Sequence, residues 1–438
     1  MKKTLIRNVQ KIKKDNELES LEILISGKTI EMIEKSIVYD EKTMEILDGK
    51  NMLITPGFID VHVHLREPGF EEKETIFSGT RAAALGGYTS IFAMPNTNPV
   101  IDEVKVMMGI KEKAKKDSLI RCEFYSAITK GEKGEDLVDF SAMKAAGASG
   151  FSDDGKGVQS AGRMYLAMMK VAELNSFITA HCEDESMLFG GYIHEGKYSK
   201  KYGYKGIHSL SEDLQIIRDA AISEATGCRY HICHMSTQTG VRALRRAKQD
   251  GVKISGEVTP HHLLLCEEDL KEHGDFKMNP PLRRKEDQES LIQALKDGTI
   301  EVIATDHAPH SHKEKDKGLA NSAFGIVGLE TAFSLLYTQL VKTGKITLEK
   351  LVDAMTVGPK KLLRVSYGEL KVGLDADLTL INLEEEFRID AKLFTSLGRN
   401  TPFQDELVQG KIDTVIFQGN RVVSQGKVLE PNQEEKVG

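Results

Sequence analysis

The stretch GFIDVHVHLREPGF, residues 57–70, places two histidines one residue apart inside an apolar run. Side chains alternate across a β-strand, so a strand here would put Asp60, His62 and His64 on one face. The apolar residues would take the other face: Ile59, Val61, Val63 and Leu65. Two neutral imidazoles aimed at one point can bind one metal ion. Such a pair also occurs in β-proteins without metal, so by itself it leaves both interpretations open.

Other predicted strands end in the same kinds of residue. Asp154 lies in GFSDDG, His181 in ITAHCED, His234 in YHICHMS and Asp306 in IATDHAPH. Together with the first pair, these residues exceed what one tetrahedral metal site uses, but they suit two metals with a bridging carboxylate and a bridging hydroxide. Residues three apart cannot share a strand face, so only one histidine of HICHMS should reach the site. We expect it to be His234 and not His231.

The elements that must position these residues are eight short β-rich runs between residues 56 and 366, separated by helical stretches. This alternation is typical of parallel βα units, and eight units close a barrel whose active site lies at the C-terminal ends of its strands. We predict an α/β fold with a TIM-type (β/α)8 catalytic domain over residues 56–366. Short alternating strands before and after it, within 1–55 and 367–438, predict one small β-sandwich built from both termini.

The composition of the chain limits which classes of protein it can belong to. The chain has 438 residues, 40% of them hydrophobic and 29% charged, which is typical of a globular protein. A net charge of -7 with scattered lysines argues against a nucleic-acid partner. We see no apolar run long enough to span a membrane and no signal peptide. The five cysteines never form a CxxC pair, so we expect a reducing compartment, the cytoplasm.

Eight motifs in the chain resemble those of the class I dihydroorotases of the amidohydrolase superfamily. In chain order they are PGFIDVHVHLREPG, MPNTNP, FSDDG, HCED, HMST, NPPLR, TDHAPH and FGIVGLET. The related dihydropyrimidinases and allantoinases bridge their metals with a carboxylated lysine at the fourth strand. Here that strand offers aspartates and no lysine, which favours the class I group.

The resemblance implies two zinc ions and a role for each candidate ligand. His62, His64 and Asp306 would hold one zinc, His181 and His234 the other, and Asp154 would bridge them. A zinc-bridging hydroxide would attack the ring amide carbonyl, with Asp306 as general acid and base. The implied reaction is the reversible cyclisation of N-carbamoyl-L-aspartate to L-dihydroorotate in de novo pyrimidine (UMP) biosynthesis.

A planar guanidinium suits the free carboxylate of this small-molecule substrate. Arg66 stands two residues beyond His64, although the position alone suits a solvated loop cation equally well. The resemblance completes the substrate-binding set with Asn96, Asn279, His310, Phe324 and Gly325. Residues 312–318, HKEKDKG, indicate a solvated loop, and strand alternation should turn Cys182 and Cys233 outward.

Two alternative functions remain open on the sequence. One is a related cyclic amidohydrolase, such as a dihydropyrimidinase, hydantoinase or allantoinase. The other is a non-catalytic dihydroorotase-like scaffold subunit. The joint presence of Arg66 and Asn96 argues against the first alternative, and the complete ligand set argues against the second. The resemblance leaves open a homodimer and an association with aspartate transcarbamoylase.

Overall fold

A computed structural model describes residues 3–13, 16–40 and 43–430. The predicted terminal domains, 1–55 and 367–438, extend beyond these residues at 1–2, 14–15, 41–42 and 431–438. The strands, in chain order, are β1 Lys3–Ile12, β2 Leu18–Ser26, β3 Thr29–Glu34, β4 Glu45–Pro56, β5 Phe58–Val63, β6 Tyr88–Ala93, β7 Arg121–Phe124, β8 Phe177–Ala180, β9 Ile193–His194, β10 Gly206–Ile207, β11 Arg229–Ile232, β12 Ile254–Val258, β13 Val302–Ile303, β14 Leu378–Arg388, β15 Leu407–Phe417, β16 Asn420–Ser424 and β17 Lys427–Val428.

The helices alternate with the central strands. They are α1 Ile76–Leu85, α2 Val104–Asp117, α3 Phe140–Ala145, α4 Ala161–Glu173, α5 Lys197–Tyr202, α6 Leu210–Thr226, α7 Gln238–Gln249, α8 Pro260–Leu264, α9 Lys285–Asp297, α10 His312–Lys315, α11 Gly318–Asn321, α12 Ala332–Leu336, α13 Leu348–Met355 and α14 Val357–Leu363. Several begin at a hydroxyl side chain that accepts a backbone N–H of the first turn, as Thr75, Ser160, Thr237 and Thr347 do.

Seven parallel strands form two sheets, ordered β5-β6-β7 and β13-β12-β11-β8, and the short strands β9 and β10 form a separate parallel pair. Isolated parallel bridges connect the two sheets: Phe151 pairs with both Ser126 and Ile178, and Val63 pairs with His307. The predicted fourth strand, residues 147–155, contributes only these bridges at Phe151, since its glycines, serines and aspartates are poor strand formers. The fold is α/β, and the closed eight-stranded barrel stays a prediction.

Alternation predicted that the apolar residues of β5 and Leu65 just after it share one face, but they do not. Ile59 and Val61 pack in a cluster with residues of β6, β8 and β13, between the two parallel sheets. Val63 and Leu65 instead pack in the cluster that includes residues of α1, α4 and α7. The pairing of β5 with β6 shifts register between Asp60 and Val63, and such an irregularity changes which way the following side chains point.

The strands from both ends of the chain form one eight-stranded sheet, ordered β17-β16-β15-β14-β4-β1-β2-β3. The N-terminal and C-terminal strands meet where β4 pairs antiparallel with β14, with Pro56 opposite Leu378 and Ile54 opposite Leu380. A buried cluster with members from β1, β2, β4 and β14 lies against this sheet. Strands from both ends of the chain therefore belong to one sheet, whereas the predicted domain boundaries and the packing as a sandwich stay predictions.

All five cysteines are buried and free of disulfide bonds. Among the described helices there is none whose length and hydropathy together would suit a bilayer span. The remaining question is what the parallel strands present at their C-terminal ends.

Candidate active site

The six residues that the sequence predicts as metal ligands are buried and lie together near the C-terminal ends of the parallel strands. Their ligand atoms fall into two groups, and within each group they lie within 4.8 Å of one another. The first group is His62, His64 and Asp306, and the second is Asp154, His181 and His234. Nε2 of His62 lies 3.4 Å from Asp154 Oδ1 and 3.5 Å from Asp306 Oδ1, so the two groups form one cluster.

Three residues of this region have left-handed backbone conformations, which residues other than glycine rarely adopt. The φ angle is 61° at Arg66, 30° at His234 and 49° at Asp306. Each residue follows a parallel strand by two or three positions. Backbone strain of this kind persists only where the surrounding structure holds it, and it concentrates at functional sites. The backbone conformations therefore indicate a functional site at the same strand ends where the candidate ligand side chains lie.

Glu257 of β12 is the residue of this site that sequence reasoning missed. It is fully buried, and its Oε1 accepts a hydrogen bond of 2.7 Å from His62 Nδ1. Its Oε2 accepts one of 3.0 Å from His231 Nε2, and the backbone N–H of His234 donates to Oε1 at 3.2 Å. An acidic residue in the middle of a predicted strand is the signal that could have found it.

The buried carboxylate of Glu257 fixes the orientation of His62. Burial alone would raise the pKa of Glu257, but the imidazoles of His62 and His231 hold it at about 2. Because Nδ1 of His62 donates to an ionised carboxylate, Nε2 is the nitrogen directed at the cluster.

Asn96 orients the second histidine of the pair. His64 Nδ1 donates a hydrogen bond of 3.0 Å to Asn96 Oδ1, and His64 Nε2 lies 3.0 Å from Asp306 Oδ1. The amide nitrogen of Asn96 donates to the backbone carbonyl of Asp154 at 3.4 Å. Both ends of the Asn96 amide thus have protein partners, and its predicted contact with substrate stays a prediction.

His181, His234 and Asn279 line another side of the cluster. His181 Nδ1 lies 3.0 Å from His234 Nε2. Asn279 Nδ2 donates to Glu183 Oε1 at 3.0 Å, whereas Asn279 Oδ1 is buried without a hydrogen-bond partner among the described residues. That oxygen is available to accept a hydrogen bond from a bound N–H group.

Four neighbouring residues lie outside the two ligand groups. His231 is held between Glu257 and a serine of β12. Asp153 accepts hydrogen bonds from the backbone N–H groups of residues 128 and 129. Nε2 of His262 donates to a backbone carbonyl at 2.9 Å, and the ring of His261 lies against that of His262.

The position of Cys233 differs from the prediction that its side chain turns outward. Strict alternation would turn both Cys182 and Cys233 outward, and Cys182 does pack on the helix side. The Sγ atom of Cys233, however, lies within 4.8 Å of ligand atoms of both His62 and Asp154. The strand has already ended at Ile232, so its alternation no longer decides where Cys233 points.

The two carboxylates of the cluster are held in their ionised form. Burial alone would raise the pKa of Asp154 and of Asp306. The surrounding histidines, His62 foremost, outweigh this effect and keep both pKa values below their ordinary range. Both groups can therefore bind a cation at neutral pH.

Arg66 places a cation beside the cluster. Its Nε donates a hydrogen bond of 3.2 Å to the carbonyl of Pro309, and its Nη2 lies 3.3 Å from His310 Nε2. Arg66 forms no ion pair with any residue that the structure describes, so some of its N–H groups remain available to an external anion.

His310 and the segment that follows it complete this region. His310 Nε2 donates to the carbonyl of Phe324 at 2.7 Å. Burial and the charge of Arg66 lower the pKa of His310 to about 3, so the ring is neutral. Gly325 has a φ of 125°, and a Cβ atom there would lie 2.6 Å from that of Ala308, so the position requires glycine. The structure thus brings the predicted Arg66, His310, Phe324 and Gly325 together.

Residues 312–318 do not form the purely solvated loop that their charge predicts. They contribute to α10 and α11, and both Lys315 and Leu319 are buried. The ammonium group of Lys315 donates at 2.7–3.0 Å to three backbone carbonyls, those of Lys277, Ala323 and Gly325. The expectation was wrong because the buried side chain of Lys315 binds backbone carbonyls beneath the segment and holds it in place.

The cluster fits a metal site by the chemistry of its atoms. His62 Nε2, Asp154 Oδ1 and His234 Nδ1 are buried without a hydrogen-bond partner among the described residues. Each such atom costs about 1–3 kcal/mol if it stays unpaired, a penalty that a bound cation removes where it coordinates the atom. Imidazole nitrogens and carboxylate oxygens are ligands that zinc and related metals accept.

Comparisons with known proteins agree with this geometry. A family profile described as Dihydro-orotase-like matches residues 51–240. A dihydroorotase of Listeria monocytogenes is 48% identical over 425 residues, 97% of this chain and 99% of that protein. A dihydroorotase of Bacillus caldolyticus is 49% identical over 409 residues, 92% and 95% of the two chains. The solved L-hydantoinase (dihydropyrimidinase) of Arthrobacter aurescens matches with a TM-score of 0.88 at 25% identity, covering 98% of each chain.

The fold and the cluster define a hydrolase of the amidohydrolase type, a class that implies a bound metal. Relatives nearly half identical over almost the full length narrow this class further. The chain belongs to the dihydroorotase family.

Proposed function

We propose that this enzyme interconverts N-carbamoyl-L-aspartate and L-dihydroorotate in pyrimidine biosynthesis. In the hydrolytic direction an amide C–N bond of the ring breaks. Water supplies the oxygen and the hydrogen of a new carboxylic acid hydroxyl and the hydrogen on the released nitrogen, and the acid then loses its proton to solvent. The proposal is supported by the family of the chain and by the buried histidine and aspartate cluster.

The observation that carries the proposal is Arg66, a cation beside the cluster without an ion-pair partner in the described chain. L-dihydroorotate has a ring carboxylate that dihydrouracil lacks, and a guanidinium binds a carboxylate through paired hydrogen bonds. We propose that Arg66 binds this group. The other proposed substrate-binding residues are Asn96 and His310 at the carboxylate, Asn279 at the ring, and Phe324 and Gly325 at the border of the site.

We also propose that two zinc ions occupy the cluster, because four histidines and two carboxylates are more than one tetrahedral site uses. The proposed ligands are His62, His64 and Asp306 for one ion, His181 and His234 for the other, and Asp154 as the bridge. When bound, the metal supplies Lewis-acid activation of water and of the amide carbonyl.

Asp306 is the proposed general acid and base. Its pKa lies below the ordinary value, so its carboxylate begins the reaction ionised. It accepts a proton from the attacking water and delivers that proton to the ring nitrogen as the amide bond breaks. Its close neighbour His64, with Nε2 at 3.0 Å from Oδ1, helps to keep the carboxylate in place.

Hydrolysis rates on dihydroorotate, dihydrouracil and allantoin test the proposed substrate. We expect the wild-type enzyme to prefer dihydroorotate. Arg66→Met should lower kcat/KM for dihydroorotate by about a hundredfold or more and change the weak rate on dihydrouracil little, because only the first substrate loses a charged partner. Arg242→Met, on the exposed face of α7, is the matched control. A wild-type preference for either other substrate would overturn the proposal, and equal losses on both would show that Arg66 supports the site as a whole.

Metal analysis tests the proposed cofactor. We expect about two zinc ions per chain in fully active protein. Because Asp154 and not a carboxylated lysine is the proposed bridge, reconstitution of the metal-free protein should not need added bicarbonate. A stoichiometry that never exceeds one, or a strong bicarbonate requirement, would contradict this assignment.

The finer organisation belongs to the same proposal. We propose that residues 56–366 form a closed (β/α)8 catalytic barrel, with 1–55 and 367–438 forming a β-sandwich. The isolated bridges between the two parallel sheets and the single sheet built from both termini support it. A cytoplasmic location and an association with aspartate transcarbamoylase stay predictions from the sequence.

A further inference from the structure

One connection of the terminal sheet leaves that sheet and lies against the candidate active site. It joins β14 to β15 and spans residues 389–406. Ser396 Oγ donates at 2.5 Å to the buried carboxylate of Glu74, and the backbone N–H of Thr395 donates at 2.9 Å to Glu330 Oε1. These bonds fix the first part of residues 395–400, which we call the 395–400 segment.

The 395–400 segment approaches the site most closely at Gly398. A Cβ atom there would lie 2.6 Å from that of Pro309 and 2.7 Å from Cγ1 of Val327. Only glycine therefore lets the two stretches of backbone lie this near. The carbonyl of Pro309 accepts the hydrogen bond from Arg66 Nε, so the segment packs against the residue that holds Arg66.

Asn400 connects the segment to two loops of the site. Its Oδ1 accepts the backbone N–H of His310 at 3.1 Å, and its Nδ2 donates at 3.0 Å to each of the carbonyls of Ala308 and Gly325. Asn400 is only 3% exposed, so water is not at hand to replace these partners. One oxygen and two N–H groups are all that an asparagine side chain offers, and each of them has a partner here.

The hydrogen bonds of Asn400 serve the substrate side of the site and not the metal cluster. Within the described part of the chain, its side chain makes no hydrogen bond to any of the six cluster residues. The two loops also pair through the N–H of Ala308 and the carbonyl of Ile326, at 2.8 Å, so they stay adjacent without Asn400. What the Asn400 amide adds is a fixed backbone position at His310, relative to Gly325.

We propose that Asn400 is a positioning residue for the substrate carboxylate. It holds the backbone at His310 so that the ring of His310 and the guanidinium of Arg66 meet the carboxylate together. Groups that bind one ligand must be held within about 0.5 Å of their productive positions. The inference rests on the proposed function, since it takes Arg66 and His310 as residues that bind the carboxylate.

Kinetics on two substrates test this role. Asn400→Leu removes all three side-chain hydrogen bonds at nearly the same volume. We expect KM for dihydroorotate to rise about tenfold or more and kcat to change less than about threefold, because binding loses its geometry while the cluster keeps its own. For dihydrouracil, which has no carboxylate, kcat/KM should change less than about threefold. Asn420→Leu, at an exposed position of β16, is the matched control and should behave as wild type.

Hydrogen–deuterium exchange tests the contact without relying on activity. The His310 amide should exchange about tenfold faster or more in Asn400→Leu, because its acceptor is gone. The amide of Val327 should stay slow in the same variant, since it donates to the backbone carbonyl of residue 400, which the substitution retains. Asn400→Ser, which keeps a hydroxyl group, should show smaller changes in KM and in exchange. Metal content and thermal unfolding of both variants show whether the cluster and the fold are retained.

Several results would overturn the inference. An unchanged KM for dihydroorotate in Asn400→Leu, or a His310 amide that exchanges as in wild type, would show that Asn400 does not hold this backbone. Equal losses on both substrates, or loss of the fold in both variants, would show that Asn400 supports the whole structure instead. Each of these results leaves the proposed function intact if the wild-type enzyme prefers dihydroorotate. A wild-type preference for dihydrouracil overturns the proposed function first, and this inference with it.

Discussion

Two buried carboxylates near the ends of the parallel strands differ in their hydrogen-bond partners. Among the described residues, the carboxylate of Asp306 has one hydrogen-bond partner, His64 Nε2, and it lies within one group of ligand atoms. Glu257 is enclosed behind the cluster, where both of its oxygens accept hydrogen bonds from histidines. At the residue scale, proton exchange is the role proposed for Asp306, whereas Glu257 fixes the orientation of His62.

Asp306→Asn should retain the fold and most metal binding but lower turnover by at least about a hundredfold, since an amide cannot accept the proton. Steady-state kinetics on dihydroorotate measure this effect, with metal content determined on the same sample. Asp316→Asn, the same exchange at a solvent-exposed position nearby, should behave as wild type. Near wild-type turnover of Asp306→Asn would remove this residue from the mechanism.

Glu257→Gln should weaken metal binding by about 10- to 100-fold. A glutamine of the same size has only one acceptor oxygen for two imidazole N–H donors, so one histidine must change its tautomer or turn. Competition between the metal-free protein and a coloured chelator measures the affinity without relying on activity. Glu268→Gln, at an exposed position, serves as the control, and an unchanged affinity in Glu257→Gln would show that His62 needs no such partner.

The sequence predicted the six clustered residues because their types are unusual at strand ends, where polar residues indicate a site. It did not predict Glu257, since one sequence does not show which polar residue within a strand faces inward. Cys233 was misplaced for a related reason. β11 ends at Ile232, one residue before Cys233, so the alternation of the strand no longer decides where that side chain points.

At the scale of elements, the segment from α10 to Gly325 shows how a charged sequence can be anchored. Lys315 inserts its ammonium group among three backbone carbonyls and so connects α10 to both Lys277 and Gly325. Gly325 borders the proposed substrate site next to His310. One buried side chain therefore connects three parts of the chain around this segment.

Lys315→Met should loosen this segment, because it removes the ammonium group that connects three carbonyls. Those of Lys277 and Gly325 keep another donor, whereas that of Ala323 has none other among the described residues and would cost about 1–3 kcal/mol if it stays buried. We expect faster proteolytic cleavage within residues 311–325 and a higher KM for dihydroorotate. Limited proteolysis with mapped cleavage sites, together with kinetics, measures both effects. Lys313→Met, two residues away and exposed, should change neither. If the two variants are cleaved at the same rate, the anchor is unimportant.

Element boundaries were less predictable than element types. Seven of the eight predicted βα strands lie in the two parallel sheets, but residues 147–155 pair only through Phe151. Weak strand formers can still run beside a sheet when neighbours hold them, and propensity does not show how many ladder bonds result. The sequence also did not predict the register shift in β5, since the alternation argument assumes a regular strand.

At the scale of the whole molecule, the terminal sheet makes the two ends of the chain depend on each other. A chain that stops at Asp377 loses β14–β17, so β4 keeps an unpaired edge, and the cluster around Ile54 is exposed because it loses Leu378, Leu380 and Ile416. We expect this truncated chain to aggregate, because an open apolar edge pairs with other chains. A chain that ends at Glu430 should stay soluble. Soluble fraction and thermal unfolding measure the difference, and a soluble, cooperatively folding chain of residues 1–377 would contradict the prediction.

The same sheet sets an order of events during synthesis. β4 is complete at Pro56, and its partner β14 begins only at Leu378. Residues 57–377 leave the ribosome in between, which at about 5–20 residues per second takes on the order of 15–65 s. Throughout that interval the nascent chain carries an open strand edge, and every catalytic residue is made before the edge can close. The nascent chain therefore remains exposed to misassembly at this edge until after its candidate active-site residues have been made.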